Sequence, residues 1–242
     1  MTPTVFTPAG SDERDHKKNI ALLDYLENFV TSHKREKMRS VLSKRTRYFT
    51  LVLENLYQSH NSSAALRTCD CFGIQDVHII SDKYAFQLND TIASGSVPWL
   101  SLNYYQDKAH NNYEQCAKQL KAAGYRLVAT TPDVRGYSVL DLPINQKTAL
   151  WFGTEEHGLS EQALALADDF VTIPIGGFTE SLNVSVSVAV VIFELTRRMT
   201  RERSIHWQLN EFEKTQLQIN WCKQIVPRGD LLERRFMQEH GS

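Results

Sequence analysis

IPIGGFTESLNVSVSVAVVIFEL, residues 173–195, is the stretch around which the chain is organised. It continues from a strand that ends near residues 171–174. The glycine pair Gly176–Gly177 follows, where backbone conformations closed to other residues are open. Ser181 and Asn183 are residue types that start helices. From Val184 to Leu195 nearly every residue is apolar or small, which predicts a helix buried on most sides. A polar helix start facing a glycine loop suits the floor of a ligand site. The same pattern also suits an ordinary core helix with a turn before it.

Upstream of this stretch, strand patterns alternate with helix patterns. TLVLENL (from Thr50), VHIIS (from Val77), RLVATT (from Arg126), TALWFG (from Thr148) and FVTIPI (from Phe170) predict strands. SHNSSAALRTCDCF predicts a helix begun by Asn61 or Ser62 and stopped by Gly73. NYEQCAKQLKAAG and LSEQALALADD predict two more. Residues 82–111 and 132–147 read as mixed polar connections. Such alternation predicts an α/β fold with a mainly parallel sheet covered on both faces. The predicted core runs over residues 48–200, between a helical N-terminal extension (1–47) and a helical C-terminal one (201–242). Residues 1–12 read as a loose arm. HKREKMRSVLSKRTRYF, in the first extension, is basic through Lys34, Arg35, Lys37, Arg39, Lys44, Arg45 and Arg47. TRRMTRERSIHW, which leads into the second, is basic as well. Basic segments beside aromatic residues suit a phosphate-rich partner, and equally a solvated helix face.

The 242 residues carry a formal net charge of −1, so bulk charge does not point to nucleic acid, although local charge can. No apolar run reaches membrane-spanning length, and the first residues have no apolar signal core, which predicts a cytosolic protein. Cys69, Cys71, Cys116 and Cys222 lack zinc-ligand spacing and read as reduced thiols, with Cys69 and Cys71 on different sides of one helix. There is no G-x-G-x-x-G after the first strand and no G-x-x-x-x-G-K-[ST]. Three polar strand ends stand in their place: HNSSAALR, FGTEEHGLS and IPIGGFTESLN. In parallel sheets ligands bind beyond the carboxyl ends of strands, so these three are expected to converge.

HNSSAALRTCDCFGIQDVHII, LWFGTEEHGLSEQALALADD and IPIGGFTESLNVSVSVAVVIFE resemble the three motifs of the SpoU, or TrmH-like, branch of the SPOUT RNA methyltransferases, in order and in spacing. The resemblance covers about residues 48–200. It is strongest toward the members that methylate a guanosine 2'-hydroxyl of tRNA, through ENLYQSHNSSAALRTCD, the EQALALAD helix and the two basic arms. It implies a sheet whose C-terminal part forms a deep trefoil knot, S-adenosylmethionine as cofactor, a homodimer, tRNA as partner and the D-loop guanosine at tRNA position 18 as target. Neither a membrane nor a metal is implied.

Carried over residue by residue, the resemblance gives Asn61 and Arg67 from the first motif, Glu155 from the second, and Ser181 and Asn183 from the third as catalytic candidates. Thr130, Gly153, Ile173, Leu182 and Asn183 are the cofactor candidates. Lys44, Arg45, Arg47, Arg197, Arg198 and Arg201 are the RNA candidates. Two residues after Arg197 the family pattern has another arginine, where this chain has Met199; the adjacent Arg198 is the candidate substitute. Bland roles remain beside these: a surface arginine for Arg67, a loop or helix-cap residue for Glu155, and helix caps for Ser181 and Asn183.

Transfer of a methyl from a sulfonium to a ribose hydroxyl needs alignment and removal of a proton. An arginine is a poor base, so Arg67 is expected to orient the ribose or a phosphate and to stabilise the developing alkoxide. The same chemistry on ribosomal RNA or on a tRNA anticodon loop, and a non-catalytic RNA-binding protein of the same fold, are the alternatives.

Overall fold

The computed structural model describes residues 13–82, 85–89, 91, 95–107, 109–133 and 136–240. The arm read at residues 1–12 lies outside them.

The chain divides into two compact units. Among the described residues, one runs from Thr46 to Trp207, and the other joins residues 13–45 with residues 208–240. The two extensions, separate in sequence, thus belong to a single helical unit, and the core ends at Trp207. In the helical unit, α1 (Glu13–Glu27) and α2 (Ser32–Leu42) pair with α7 (Glu211–Ile225), and α1 and α7 also meet α8 (Gly229–His240). Thr31 caps α2, and Asn210 with Glu213 forms a capping box on α7.

The larger unit holds β1 (Phe49–Glu54), α3 (Ser59–Cys71), β2 (Asp76–Ile80), β3 (Ser101–Tyr105), α4 (Asn112–Ala122), β4 (Arg126–Thr130), β5 (Tyr137–Ser138), β6 (Thr148–Phe152), α5 (Glu161–Leu166), β7 (Asp169–Thr172) and α6 (Val184–Arg201). The strands form one parallel sheet in the order β3-β2-β1-β6-β4-β7-β5. Every residue of β1 and β6 is buried, as expected of central strands covered on both faces. Successive side chains alternate between two cores. Leu51, Leu53, Leu150 and Phe152 join α3 and α6 on one face, and Val52, Ala149 and Trp151 join α4 and α5 on the other.

The parallel α/β expectation holds, with two further strands inside the stretches that read as polar connections. β3 is an edge strand, and its SLNYY is too polar for a buried-strand pattern. β5 has only two residues.

The helix after the glycine pair differs from expectation. α6 buries Val184, Val188, Val191, Ile192 and Leu195, but Val186, Val190 and Phe193 remain 45%, 36% and 52% exposed. It is therefore amphipathic by position, and one apolar stripe is left uncovered among the described residues. Gly176 and Gly177 do not adopt the positive φ that only glycine favours; Gly73, Gly124, Gly136 and Gly158 do.

Candidate active site

In the strand order, β1 and β6 are neighbours, yet the chain leaves them toward opposite faces. α3 packs on the face of Leu51 and Leu53, and α5 on the face of Trp151. Such a divergence opens a crevice at the carboxyl edge of the sheet, where ligands of open α/β folds bind. A narrow cleft lies there. Leu56, Tyr57, Gln58 and Asn61 line one side, Thr154 and Glu155 the other, and Val184 also borders it.

Asn183 joins the two sides. It is the N-cap of α6, and its Oδ1 accepts from the backbone N–H of Ser185 at 2.9 Å and of Val186 at 3.4 Å, and from Ser185 Oγ at 2.6 Å. Its Nδ2 donates to Asn61 Oδ1 at 3.2 Å and to a carboxylate oxygen of Glu155. One side chain from each of the three motifs thus meets in one hydrogen-bonded cluster, as the convergence of strand ends predicts. Asn61 is not a helix start. α3 begins at Ser59, so Asn61 lies buried in the first turn, where Gln58 Oε1 accepts from its Nδ2 at 2.7 Å. This leaves its Oδ1 for Asn183. Gln58 escaped the sequence reading, which had no signal for it beyond its neighbourhood.

Glu155 sits in a tight turn. Thr154 and Gly158 exchange both backbone hydrogen bonds, at 2.9 and 3.0 Å. A Cβ at Gly153 would stand 2.0 Å from the Gly158 carbonyl oxygen, so only glycine permits this close approach. The cap of α5 is Ser160, whose Oγ accepts from Ala163 N–H at 3.2 Å, which leaves Glu155 free of that role.

The other expected residues separate into groups. Thr130, Gly153 and Ile173 stand at or just past the ends of β4, β6 and β7, which are neighbours in the sheet. The Thr130 hydroxyl donates to the Trp151 carbonyl at 2.7 Å. Residues 174–183 are all exposed, including Ile175, Leu182 and Ser181, and Phe178 stands fully in solvent. Ser181 makes no hydrogen bond with the Asn183 cluster. An adenosyl group needs backbone donors and acceptors beside an apolar wall. The strand ends, with Ile173, Ile175 and Leu182, meet that description.

Arg67 does not join the cluster. Six residues beyond Asn61 on the same helix, it points to another side, where it lines an open face with His60, Ala64, Thr68, Cys71 and Phe72. It is exposed and forms no ion pair among the described residues. On the same helix Cys69 is buried and Cys71 exposed, as their spacing predicts.

The RNA candidates need correction. Arg45 is 1% exposed, with its guanidinium 5.6 Å from the Trp221 ring centre, so it cannot present charge to a phosphate. Arg47 pairs with buried Asp76 at 2.9 Å, ahead of β1 and hence at the sheet edge opposite the cleft. Arg198 is not a stand-in for the missing arginine: it donates to the carbonyls of Val139 and Leu142 at 3.0 and 2.7 Å. Met199 is 2% exposed and packs in the core. Arg197 is held by Glu194 at 2.8 Å but stays partly exposed. Lys44 and Arg201 are exposed.

The profile of the SpoU rRNA methylase family matches residues 48–193. The chain belongs to that family. Among its relatives, a tRNA (guanosine(18)-2'-O)-methyltransferase of Borreliella burgdorferi is 40% identical over 86% of this chain and 93% of its own. The crystal structure of an A. aeolicus TrmH/SpoU tRNA modifying enzyme aligns with a TM-score of 0.70 at 26% identity, over 81% of this chain and 98% of that one. AviRb, a SpoU methyltransferase of Streptomyces viridochromogenes crystallised with AdoMet, has the same fold. Its TM-score is 0.56 at 22% identity, over 67% of this chain and 65% of that one. Among the described residues no helix is long and apolar enough to cross a membrane.

Proposed function

We propose that the protein transfers a methyl group from S-adenosylmethionine to the 2'-hydroxyl of a tRNA guanosine, the D-loop guanosine at position 18. The observation that carries this reading is the Asn61–Asn183–Glu155 cluster, in which all three family motifs meet at the carboxyl edge of the sheet. The 40% identity to the Borreliella burgdorferi enzyme supports the choice of tRNA and of the nucleotide.

The cofactor supplies an electrophilic methyl on sulfur. The ends of β4, β6 and β7 and the exposed loop before Asn183 are the parts of this chain that would hold it. Asn183 fixes that loop to the start of α6, and so sets where the methyl is presented. Glu155 and Asn61 hold Asn183 from two sides. Arg67, an exposed guanidinium with no acidic partner among the described residues, is available to a phosphate or to the developing alkoxide. A guanidinium is a poor base, so Arg67 orients and stabilises rather than removes the proton. The 2'-hydroxyl makes RNA, and not DNA, the substrate.

The protein works as a homodimer, because Val186, Val190 and Phe193 form an apolar stripe that a second copy would cover. Phe72 touches Phe193 with ring centres 5.9 Å apart, so the stripe borders the face that carries Arg67. β6, late in the chain, is inserted between β1 and β4, which suits the trefoil knot. The phosphate surface uses Lys34, Lys37 and Lys44 of the helical unit, all exposed. The presence of that unit favours the D-loop over the anticodon loop as target. The setting is the cytoplasm, where tRNA is.

Calorimetry with S-adenosylmethionine, followed by transfer of a labelled methyl to unmodified tRNA, tests the reading. Binding and transfer are expected. Binding of tRNA without cofactor binding or transfer would make the protein a non-catalytic RNA-binding member of the fold.

A further inference from the structure

Behind the Asn61–Asn183–Glu155 cluster lies a second polar group, partly outside the three motifs. Glu54, the last residue of β1, is 3% exposed. Its Oε1 accepts from the Tyr113 hydroxyl at 3.0 Å, and both its carboxylate oxygens accept from the Ser160 N–H at 3.2 Å. Tyr113 lies in the first turn of α4, also 3% exposed, and its hydroxyl accepts from Asn55 Nδ2 at 2.9 Å. Asn55 takes a left-handed φ of 51°, and its Oδ1 accepts from the Asp82 N–H at 2.9 Å. Burial and the Glu54 carboxylate push the Tyr113 phenol well up, so it stays a donor.

The connections made by this group are specific. Ser160, two residues past the turn that carries Glu155, starts α5. The other end of that turn is pressed onto Gly158 at Gly153. Asn55 begins the segment that leads from β1 to Gln58 and Asn61. One carboxylate–phenol pair therefore ties the exit of β1 to the exit of β6, and with them the Asn61 side of the cleft to the Glu155 side. Stability alone is a weak reason for such a group, because apolar partners of the same shape can replace a buried hydrogen-bonded pair at little cost.

We propose that Glu54 and Tyr113 are positioning residues for methyl transfer: they set Glu155 against Asn61 across the β1–β6 crevice without touching either reactant. The proposal rests on the methyl-transfer reading above. Its test is a double-mutant cycle on the full-length protein, with labelled S-adenosylmethionine and unmodified tRNA, and with melting temperatures measured alongside. Tyr113→Phe removes one oxygen and keeps the ring. It should lower kcat roughly 10- to 100-fold, since small misplacements of a reacting centre have effects of that order. KM for both substrates should stay within about twofold. In a Glu155→Gln background the same change should lower kcat by less than about twofold, because residues that act through one another are not additive. Glu54→Gln, which keeps the volume and one acceptor oxygen, provides the same cycle should Tyr113→Phe fail to fold. Equal loss in both backgrounds, or no loss with Glu155 intact, overturns the proposal alone. A wild-type protein that transfers no methyl overturns the methyl-transfer reading and the proposal together.

Discussion

Replacing Asn183 separates its two tasks. As N-cap it satisfies the backbone N–H groups of Ser185 and Val186; as a donor it holds Asn61 and Glu155. Loss of a cap costs about 0.5–2 kcal/mol, typically about 1. Asn183 is exposed, so each of its two donor bonds competes with water and adds at most about 0.5–1 kcal/mol. Asn183→Ala should therefore destabilise by about 1–3 kcal/mol, a fall in melting temperature of about 2–4 °C per kcal/mol for a chain of this size. Asn183→Asp is the sharper change. It keeps the cap acceptor and favours the helix dipole, but it loses both donors and sets a second carboxylate beside Glu155. Two such charges about 4 Å apart repel by about 1–4 kcal/mol at effective dielectric constants of 80 to 20. Differential scanning calorimetry should find Asn183→Asp at least as far below wild type in melting temperature as Asn183→Ala, because the repulsion offsets the retained cap. Titration calorimetry should find S-adenosylmethionine binding weakened in both. If Asn183→Asp bound cofactor as wild type does, Asn183 would be a helix cap and nothing more.

Three further outcomes are expected. Arg67→Ala should lower methyl transfer by about 100-fold or more while cofactor affinity and melting temperature hold, because Arg67 is exposed and outside the cofactor edge; a parallel loss of cofactor affinity, measured by calorimetry, would move Arg67 into the cofactor site. Changing Lys34, Lys37 and Lys44 together to alanine should weaken tRNA binding and reduce its salt slope by about 0.7–0.9 for each phosphate left without its lysine, with cofactor affinity unchanged, as filter binding at several salt concentrations would read. His78 is buried beside Tyr105, and burial lowers its pKa to about 4. Between that value and the unfolded value near 6.5 the unfolded chain binds more protons, so this contribution is full above about pH 6.5 and falls with falling pH. Unfolding free energy from urea titrations should be about 2 kcal/mol lower at pH 5 than at pH 7.5 through His78 alone, and that part should vanish in His78→Leu.

Much of this molecule was legible in its sequence because the central strands carry near-continuous apolar runs and the three motifs have fixed spacing. FTLVLE and TALWF could hardly be anything but buried strands. The convergence of Asn61, Glu155 and Asn183 followed from parallel strand direction, which brings all carboxyl ends to one edge. What was not legible depends on three dimensions. β3 is polar because it is an edge, and an edge is defined only by its neighbours. Arg45 and Arg47 look like phosphate ligands in a basic run, yet one is buried against Trp221 and the other neutralises Asp76. Charge counted along a chain does not say which guanidinium faces water. The α6 stripe reads as core because apolar residues all round a helix imply cover on all sides, and the described residues do not supply it. Glu54 and Tyr113, 59 residues apart, have no common pattern at all.

The central claim is transfer of a methyl to one particular hydroxyl. Two synthetic tRNAs, identical except that one carries 2'-deoxyguanosine at position 18 of the D-loop, would be incubated with the purified protein and labelled S-adenosylmethionine, then digested and analysed by mass spectrometry. One 2'-O-methylguanosine at that position is expected in the all-ribose tRNA, and no label in the other. Equal labelling of both, or a methyl on a base or on another nucleotide, would contradict it.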